Sequence, residues 1–373
     1  MRKLSKAIVI SLVVFSLVFN TLLVAAYYTD YLHLGQLLRL TLLVKGRALS
    51  NIPFGQMIDG AAGGIVKALH DPYSTYLKPE DFNRLQSELE GIFGGVGLIL
   101  DTSDETRLQV VGVLKTSPAE KAGIRKGDVI TAVNGQVVSQ IKSVQAADLM
   151  KGQIGTEVTL TVQRGKGNKQ DYRLKRELIS IKSVEGKFLR IPDLAAYIKI
   201  NSFTENTLTE LTDIWEGLSS AKGIVLDLRD NPGGGLEEAV QAANYFVPKG
   251  PVVHLVYRDG NRETYEVKGG NLRVPLVVLV NRGTASAAEI LAAAVQDTGS
   301  GLIVGTKTYG KGVVQTIYDL DGIAGLKLTT AKYLSALGNN IDKVGIEPDV
   351  VVEEAEQGDP VLAKALKLLK ERI

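Results

Sequence analysis

VPLVVLVNRGTASAAEILAAAVQ, residues 274–296, decides how the chain folds. Its first part, through Val280, is an unbroken apolar run of strand length, the pattern of a strand covered on both faces by helices. Asn281-Arg282-Gly283 ends that run, and a helix is expected from about Ala287 to Gln296. Ser286 therefore sits where strand passes into helix, with its hydroxyl at the positive end of a helix dipole. A developing oxyanion is stabilised there, and the Ala287 N–H is one candidate donor. Two readings stand at Ser286, a nucleophile or an ordinary serine N-cap.

Outward from that stretch the same alternation recurs. Strand-like LAAYIKI precedes a helix from about Asn206 to Leu218, then GIVLDLRD, a helix from Leu236 to Tyr245, VVHLVY, LIVGTKT and VVQTIYDL. Strands alternating with helices imply a layered α/β core. LDLRDNPGGG ends in Gly233-Gly234-Gly235, and glycines without a Cβ let backbone N–H groups face a ligand, so Gly233 or Gly234 is a second candidate oxyanion donor. A plain turn before a helix is the competing reading. A phosphate-cradling loop is disfavoured, because no Lys-Ser/Thr pair follows as a P-loop requires.

The chain has three histidines, His33, His70 and His254, and none sits beside a serine, aspartate or glycine-rich turn that suggests a Ser/His/Asp triad. A serine hydrolase built from this sequence must use lysine as its base. Lys311, in GTKTYGKGVVQ, lies between Gly310 and Gly312 and before an apolar strand, an unusual setting for a solvated lysine. A surface turn is the alternative. Gln315, four residues on, falls on the same face as Lys311 in strand or helix, where its carbonyl can orient the amine. A free lysine titrates near 10.4, so work near neutrality requires lowering by roughly three pH units, about 4 kcal/mol, which burial supplies.

Composition narrows the rest. Forty-three Lys and Arg oppose 41 Asp and Glu, and a net charge of +2 does not point to nucleic acid as a partner. The absence of cysteine removes disulfides, thiolate catalysis and Cys-ligated metal. Arg2, Lys3 and Lys6 precede an uncharged run from Ala7 to Tyr28. As a helix that run spans about 33 Å against a hydrocarbon core of about 30 Å, so residues 1–30 are read as a single-pass membrane anchor. The basic cluster then stays inside and the later domains lie on the extracytoplasmic side of the cell membrane. A signal peptide cleaved after Val24-Ala25-Ala26 is the other reading.

Residues 31–90 look helical, with Leu37, Leu38, Leu40, Leu42 and Leu43, and then Met57, Ile58, Ile65, Val66 and Leu69, at amphipathic spacings. From Gly91 the texture changes to short β-branched runs, GLIL, RLQVVGVL, DVITAVNGQVV, TEVTLTVQR and DYRLKREL, with helix candidates at SPAEKAG and SVQAADLM. Residues 91–176 thus form a compact β-rich module, and residues 177–373 the α/β core. Within the module, Gly94-Gly95-Val96-Gly97-Leu98 reads either as a glycine turn before a strand or as a loop whose N–H groups capture a carboxylate.

GGVGL, SPAEKAGIRKGDVITAVNG, DLRDNPGG, GTASAAEI, GTKTYGKGVVQ and LTTAKYLSALGNNIDKVGIEPDV, in that order, resemble the carboxyl-terminal processing proteases. The resemblance runs from about Ile58 to the C-terminus. It implies an α/β Ser/Lys protease core with an embedded PDZ domain, and the helical N-terminal region and one N-terminal transmembrane helix read from the hydropathy above complete the expected fold class. It further implies Ser286 as nucleophile, Lys311 as general base, Gln315 as the residue that orients the lysine, and Ala287 with Gly233 or Gly234 as oxyanion donors. Gly95, Val96, Gly97 and Leu98 become the peptide-binding loop. The expected partners are protein or peptide C-termini, the membrane and a second copy in a homodimer, with no cofactor, no metal and no nucleic acid. A membrane-tethered PDZ adaptor with an inactive protease fold is the alternative from another functional class.

Overall fold

The computed structural model describes residues 13–373 apart from 23, 26–32, 90–91, 103, 166, 181, 190–194, 219, 271, 323 and 356–357. The chain divides into two compact units, residues 1–76 and 77–373. The smaller holds helices α1 (Leu34–Arg47) and α2 (Phe54–Lys67), the second entered through Pro53, whose fixed φ suits a helix start. The Tyr76 hydroxyl donates to Asp59 at 2.8 Å.

One expectation is corrected at this end of the chain. Among the described residues no helix is long and apolar enough to cross a membrane, so the fold class loses its N-terminal transmembrane helix. Of the run Ala7–Tyr28, the described part is helical over residues 13–22 and 24–25, and the remainder lies outside the described residues.

The larger unit begins with α3 (Pro79–Leu89), whose Glu80 and Asp81 lie in the first turn, where the helix dipole favours negative charge. A β-rich module follows. Its strands are β1 (Ile92–Gly95), β2 (Leu98–Asp101), β3 (Leu108–Val113), β4 (Val129–Val133), β5 (Glu157–Gln163) and β6 (Lys169–Lys175), with helix α4 (Ser143–Met150) between β4 and β5. The sheet runs β2-β3-β4-β5-β6, all antiparallel, around a core that includes Leu108, Val110, Ile130, Leu160 and Leu174. Strand β2 is therefore an edge. The expected single strand DYRLKREL breaks at Arg176, where β6 ends and β7 (Glu177–Ser180) begins. The Arg176 side chain is buried, donating to the carbonyls of Leu149 and Met150 at the end of α4 and to the carbonyl of Glu157. Strand β1 pairs with β7 rather than with the module's own sheet.

Beyond it lie β8 (Val184–Leu189), β9 (Ala195–Ile200), α5 (Thr207–Gly217), β10 (Gly223–Asp227), α6 (Leu236–Phe246), β11 (Gly250–Tyr257), β12 (Arg262–Val267), β13 (Leu276–Val280), α7 (Ala287–Asp297), β14 (Leu302–Gly305), β15 (Val313–Leu320), β16 (Ala324–Ser335), β17 (Val350–Val351) and α8 (Pro360–Lys370). The central sheet runs β8-β9-β10-β13-β14-β17 and is parallel from β9 onward. Its alternate residues serve two cores. Ile224, Leu226, Val278 and Val280 pack with α6 and α7, while Val225, Val277, Leu279 and Val304 pack with Val361, Ala365 and Leu369 of α8. Both faces are thus dry, which is why β10 and β13 read as continuous apolar runs. A second, antiparallel sheet, β12-β11-β16-β15, flanks this core.

Candidate active site

Three loops leave the carboxyl ends of neighbouring parallel strands: residues 228–235 after β10, 281–286 after β13 and 306–312 after β14. In an open α/β sheet this is where a crevice forms. Ser286, Lys311 and the Gly233-Gly234 pair each lie on one of these loops.

Ser286 caps α7 with φ +56° and ψ −122°, a left-handed backbone that an L-residue holds only at a cost of about 1–3 kcal/mol. Side chains around it hold it there. The Thr284 hydroxyl donates to the Leu228 carbonyl at 2.8 Å, and the Asn281 N–H donates to that same hydroxyl at 3.0 Å. The Asn281 amide donates to Asp230 at 2.9 Å and accepts the Asp230 N–H at the same distance.

Glu289, three residues into α7 and 0% exposed, joins Ser286 to Lys311. Its Oε2 accepts the N–H of Ser286 at 2.8 Å and of Lys311 at 2.9 Å. Its Oε1 accepts the Thr308 hydroxyl at 2.6 Å and the Gly310 N–H at 2.7 Å. One carboxylate oxygen thus brings the two backbones within two hydrogen-bond lengths of each other. The Tyr333 hydroxyl, from β16, closes the other side by donating toward the carbonyls of both Ser286 and Lys311. Burial pushes the Lys311 ammonium below the ordinary lysine range, nearby Lys327 pushes it further, and Glu289 opposes both.

The glycine turn lies against the serine. Gly233 has φ +102°, and a Cβ there would stand 2.8 Å from the Ser286 Cβ and 3.0 Å from the Ala287 nitrogen, so no side chain fits. Ala287 opens α7, and its N–H has no protein acceptor among the described residues, as expected of a first-turn amide. Gln315 stands on β15 just past a bulge, half-buried, its amide donating at 3.4 Å to the Val313 carbonyl and to the Thr329 hydroxyl. His254 is occupied structurally, its ring nitrogens 2.8 Å from the Thr264 hydroxyl and 3.1 Å from the Ala336 carbonyl.

In the β-rich module, Gly95 ends β1, Val96 and Gly97 form the turn, and Leu98 begins the edge strand β2. The carbonyls of this turn are used: Gly94 accepts from Gly152, Val96 from Ala119 and Gly97 from Leu114, each at 2.9 Å. The N–H groups of Val96 and Gly97 have no protein acceptor among the described residues. Gly97 has φ +78°, and a Cβ there would fall 2.2 Å from the Ser117 Cβ.

Reading the sequence missed Glu289 and Tyr333. Ser286-Ala-Ala-Glu289 carries a signal, the S-x-x-E spacing of a capping box, but that spacing announces only a helix start. Tyr333 carries no local signal, since its partners are 47 and 22 residues away.

Residues 195–352 match the profile of peptidase family S41, and residues 109–164 match that of the PDZ domain. The chain is 39% identical over 302 residues to the carboxy-terminal processing protease CtpA of Bacillus subtilis, covering 80% of this chain and 64% of that protein. It therefore spans slightly less than two thirds of that relative's length. It is 38% identical over 304 residues to the carboxyl-terminal-processing protease of Picosynechococcus, covering 80% of this chain and 73% of that one. Among solved structures it is similar to a photosystem II D1 C-terminal processing protease, with a TM-score of 0.55 and 31% identity over 89% of this chain and 90% of the other.

Proposed function

Since this chain belongs to peptidase family S41, we propose that it is a serine endopeptidase that captures the C-terminal tail of a protein in its PDZ groove and cuts it with a Ser286–Lys311 dyad. The observation that carries the assignment is the shared carboxylate: Ser286 and Lys311 hang from one oxygen of a fully buried Glu289, where burial favours the neutral amine.

Neutral Lys311 takes the proton from the Ser286 hydroxyl as its oxygen attacks the scissile carbonyl. The resulting oxyanion is held by the Ala287 N–H and by an N–H of the Gly233-Gly234 turn. Protonated Lys311 then delivers its proton to the leaving amine. Water, activated by the same lysine, hydrolyses the acyl-enzyme. Gln315, four residues after Lys311 and near the start of β15, keeps the amine oriented. The tail is recognised as an added strand on the free edge of β2, its carboxylate taken by the undonated amides of Val96 and Gly97 in the Gly95–Leu98 turn.

A fluorophosphonate probe and a cleavage assay on an unstructured protein with an apolar C-terminus test the assignment together. The probe should label Ser286 in the wild type and not in Ser286→Ala. Ser286→Ala and Lys311→Ala should each lose at least about 10³-fold in kcat/KM, and Lys311→Arg should do no better, because a guanidinium does not deprotonate. Cleavage by Ser286→Ala or Lys311→Ala within tenfold of wild type would reject the dyad.

A further inference from the structure

We infer that Asn231 is a positioning residue that builds the oxyanion hole and decides which glycine supplies its second donor. The inference rests on the Ser286–Lys311 reading and adds a residue to it. Asn231 is 0% exposed, and both ends of its side chain are engaged. Its Oδ1 accepts the Gly233 N–H at 2.8 Å, and its Nδ2 donates to the Ile200 carbonyl at the end of β9 at 2.9 Å. Its backbone carbonyl accepts the N–H of Ala285, the residue before the nucleophile, at 2.9 Å. One buried residue therefore fixes both the glycine turn and the approach to α7.

The choice between the glycines follows. The Gly233 N–H is committed to Asn231 and is not available to a ligand. The Gly233 carbonyl accepts from Phe203 and the Gly235 N–H donates to Phe203, each at 2.9 Å, so the turn runs as a short bridge alongside Phe203. Both bonds of that bridge belong to the residues flanking Gly234, so the Gly234 N–H takes no part in it. It has no protein acceptor among the described residues. Gly234 and Ala287 are then the two donors, and Asn231 holds the spacing between them.

An asparagine is needed because the position must accept on one side and donate on the other. Asn231→Ala removes both bonds. Asn231→Asp keeps the acceptor for Gly233 but sets a carboxylate oxygen against the Ile200 carbonyl. A misplaced oxyanion donor lowers kcat by about 10²-fold, since such a donor acts on the transition state more than on bound substrate.

The test measures kcat, KM and inhibition by a peptidyl boronate, whose tetrahedral adduct places an oxygen in the hole, with thermal melting of each variant as a check on folding. Binding of an uncleaved tail peptide is measured alongside. Both variants should lose about 10²-fold in kcat and the same factor in boronate affinity, while KM and tail affinity stay within about twofold. Wild-type kcat in Asn231→Ala would overturn the proposal, as would a loss of kcat without loss of boronate affinity. Failure of both variants to fold would make Asn231 a core amide only, and overturn it equally. The dyad is judged separately, since a fault there appears as cleavage by Ser286→Ala.

Discussion

Two glycine turns in this protein, Gly94–Leu98 in the β-rich module and Asn231–Gly235 in the α/β core, both leave backbone N–H groups undonated. They differ in what holds them. The PDZ turn is fixed by backbone bonds to Gly152, Ala119 and Leu114, with no side-chain hydrogen bond to it among the described residues. The core turn and its neighbours are fixed by buried side chains drawn from two loops, a helix and a strand, namely Asn231, Thr284, Glu289 and Tyr333. A carboxylate can be bound with some latitude in position, whereas acyl transfer loses rate steeply when donors shift by fractions of an ångström.

The largest effect should come from Glu289→Gln, which attacks the core arrangement directly. An amide NH2 cannot accept, so two of the four donors now pointing at Glu289 would lose their acceptor. A fall of about 10²-fold or more in kcat is expected. The pH profile gives a second reading. Glu289 holds the Lys311 ammonium up, so its neutralisation should move the rising limb of kcat/KM to lower pH. A limb that moves up, or a kcat near wild type, would break the comparison.

A smaller effect is expected at the PDZ turn. Gly97→Val forces a Cβ into Ser117 at a backbone angle that valine avoids, and should raise KM for a tailed substrate about tenfold with little change in kcat. Amidating the substrate's C-terminus in the wild-type reaction should have a similar effect, because it removes the charge the turn's amides receive. Equal rates for amide and acid would remove the carboxylate role from this turn.

The smallest effect concerns stability. Burial lowers the Lys311 pKa in the native state, so across the interval up to the ordinary lysine value the unfolded chain binds the proton more readily. Wild-type stability should therefore rise with pH through that interval. Lys311→Met should remove this slope and raise Tm by about 2 °C at pH 7. Melting curves between pH 6 and 10 that run parallel for the two proteins would contradict a buried, reluctantly charged lysine.

Local patterns announced much of this architecture. The helices expected at 206–218, 236–245 and 287–296 appear as Thr207–Gly217, Leu236–Phe246 and Ala287–Asp297, because each has a clear apolar face and a turn at both ends. SVQAADLM forms α4 residue for residue, and Ser117 caps Pro118–Lys121 by accepting the Glu120 N–H. Strand β16 was not anticipated. LKLTTAKYLS mixes half-buried Lys327, Thr329 and Thr330 with an exposed Lys332 between β11 and β15, and only those partners make it a strand. Nor was Arg176 legible, since its meaning lies in carbonyls 19 to 27 residues away. The N-terminal transmembrane helix rests on hydropathy and flanking charge, and among the described residues no helix is long and apolar enough to cross a membrane.

The order of strands β10, β13 and β14 also gives the protein a built-in ruler. Neighbouring strands keep a repeat of about 4.8 Å that no side chain has to set. The glycine turn, Ser286 and Lys311 follow the ends of three successive strands of that sheet. Loops elsewhere in the core, such as the exposed turn at Asp259–Asn261, can lengthen or shorten over generations without disturbing that measure. The same fixed pitch limits invention. A lineage that moved Lys311 to another strand would have to change the gauge, so innovation in such a scaffold falls to the crevice rim and to the β-rich module.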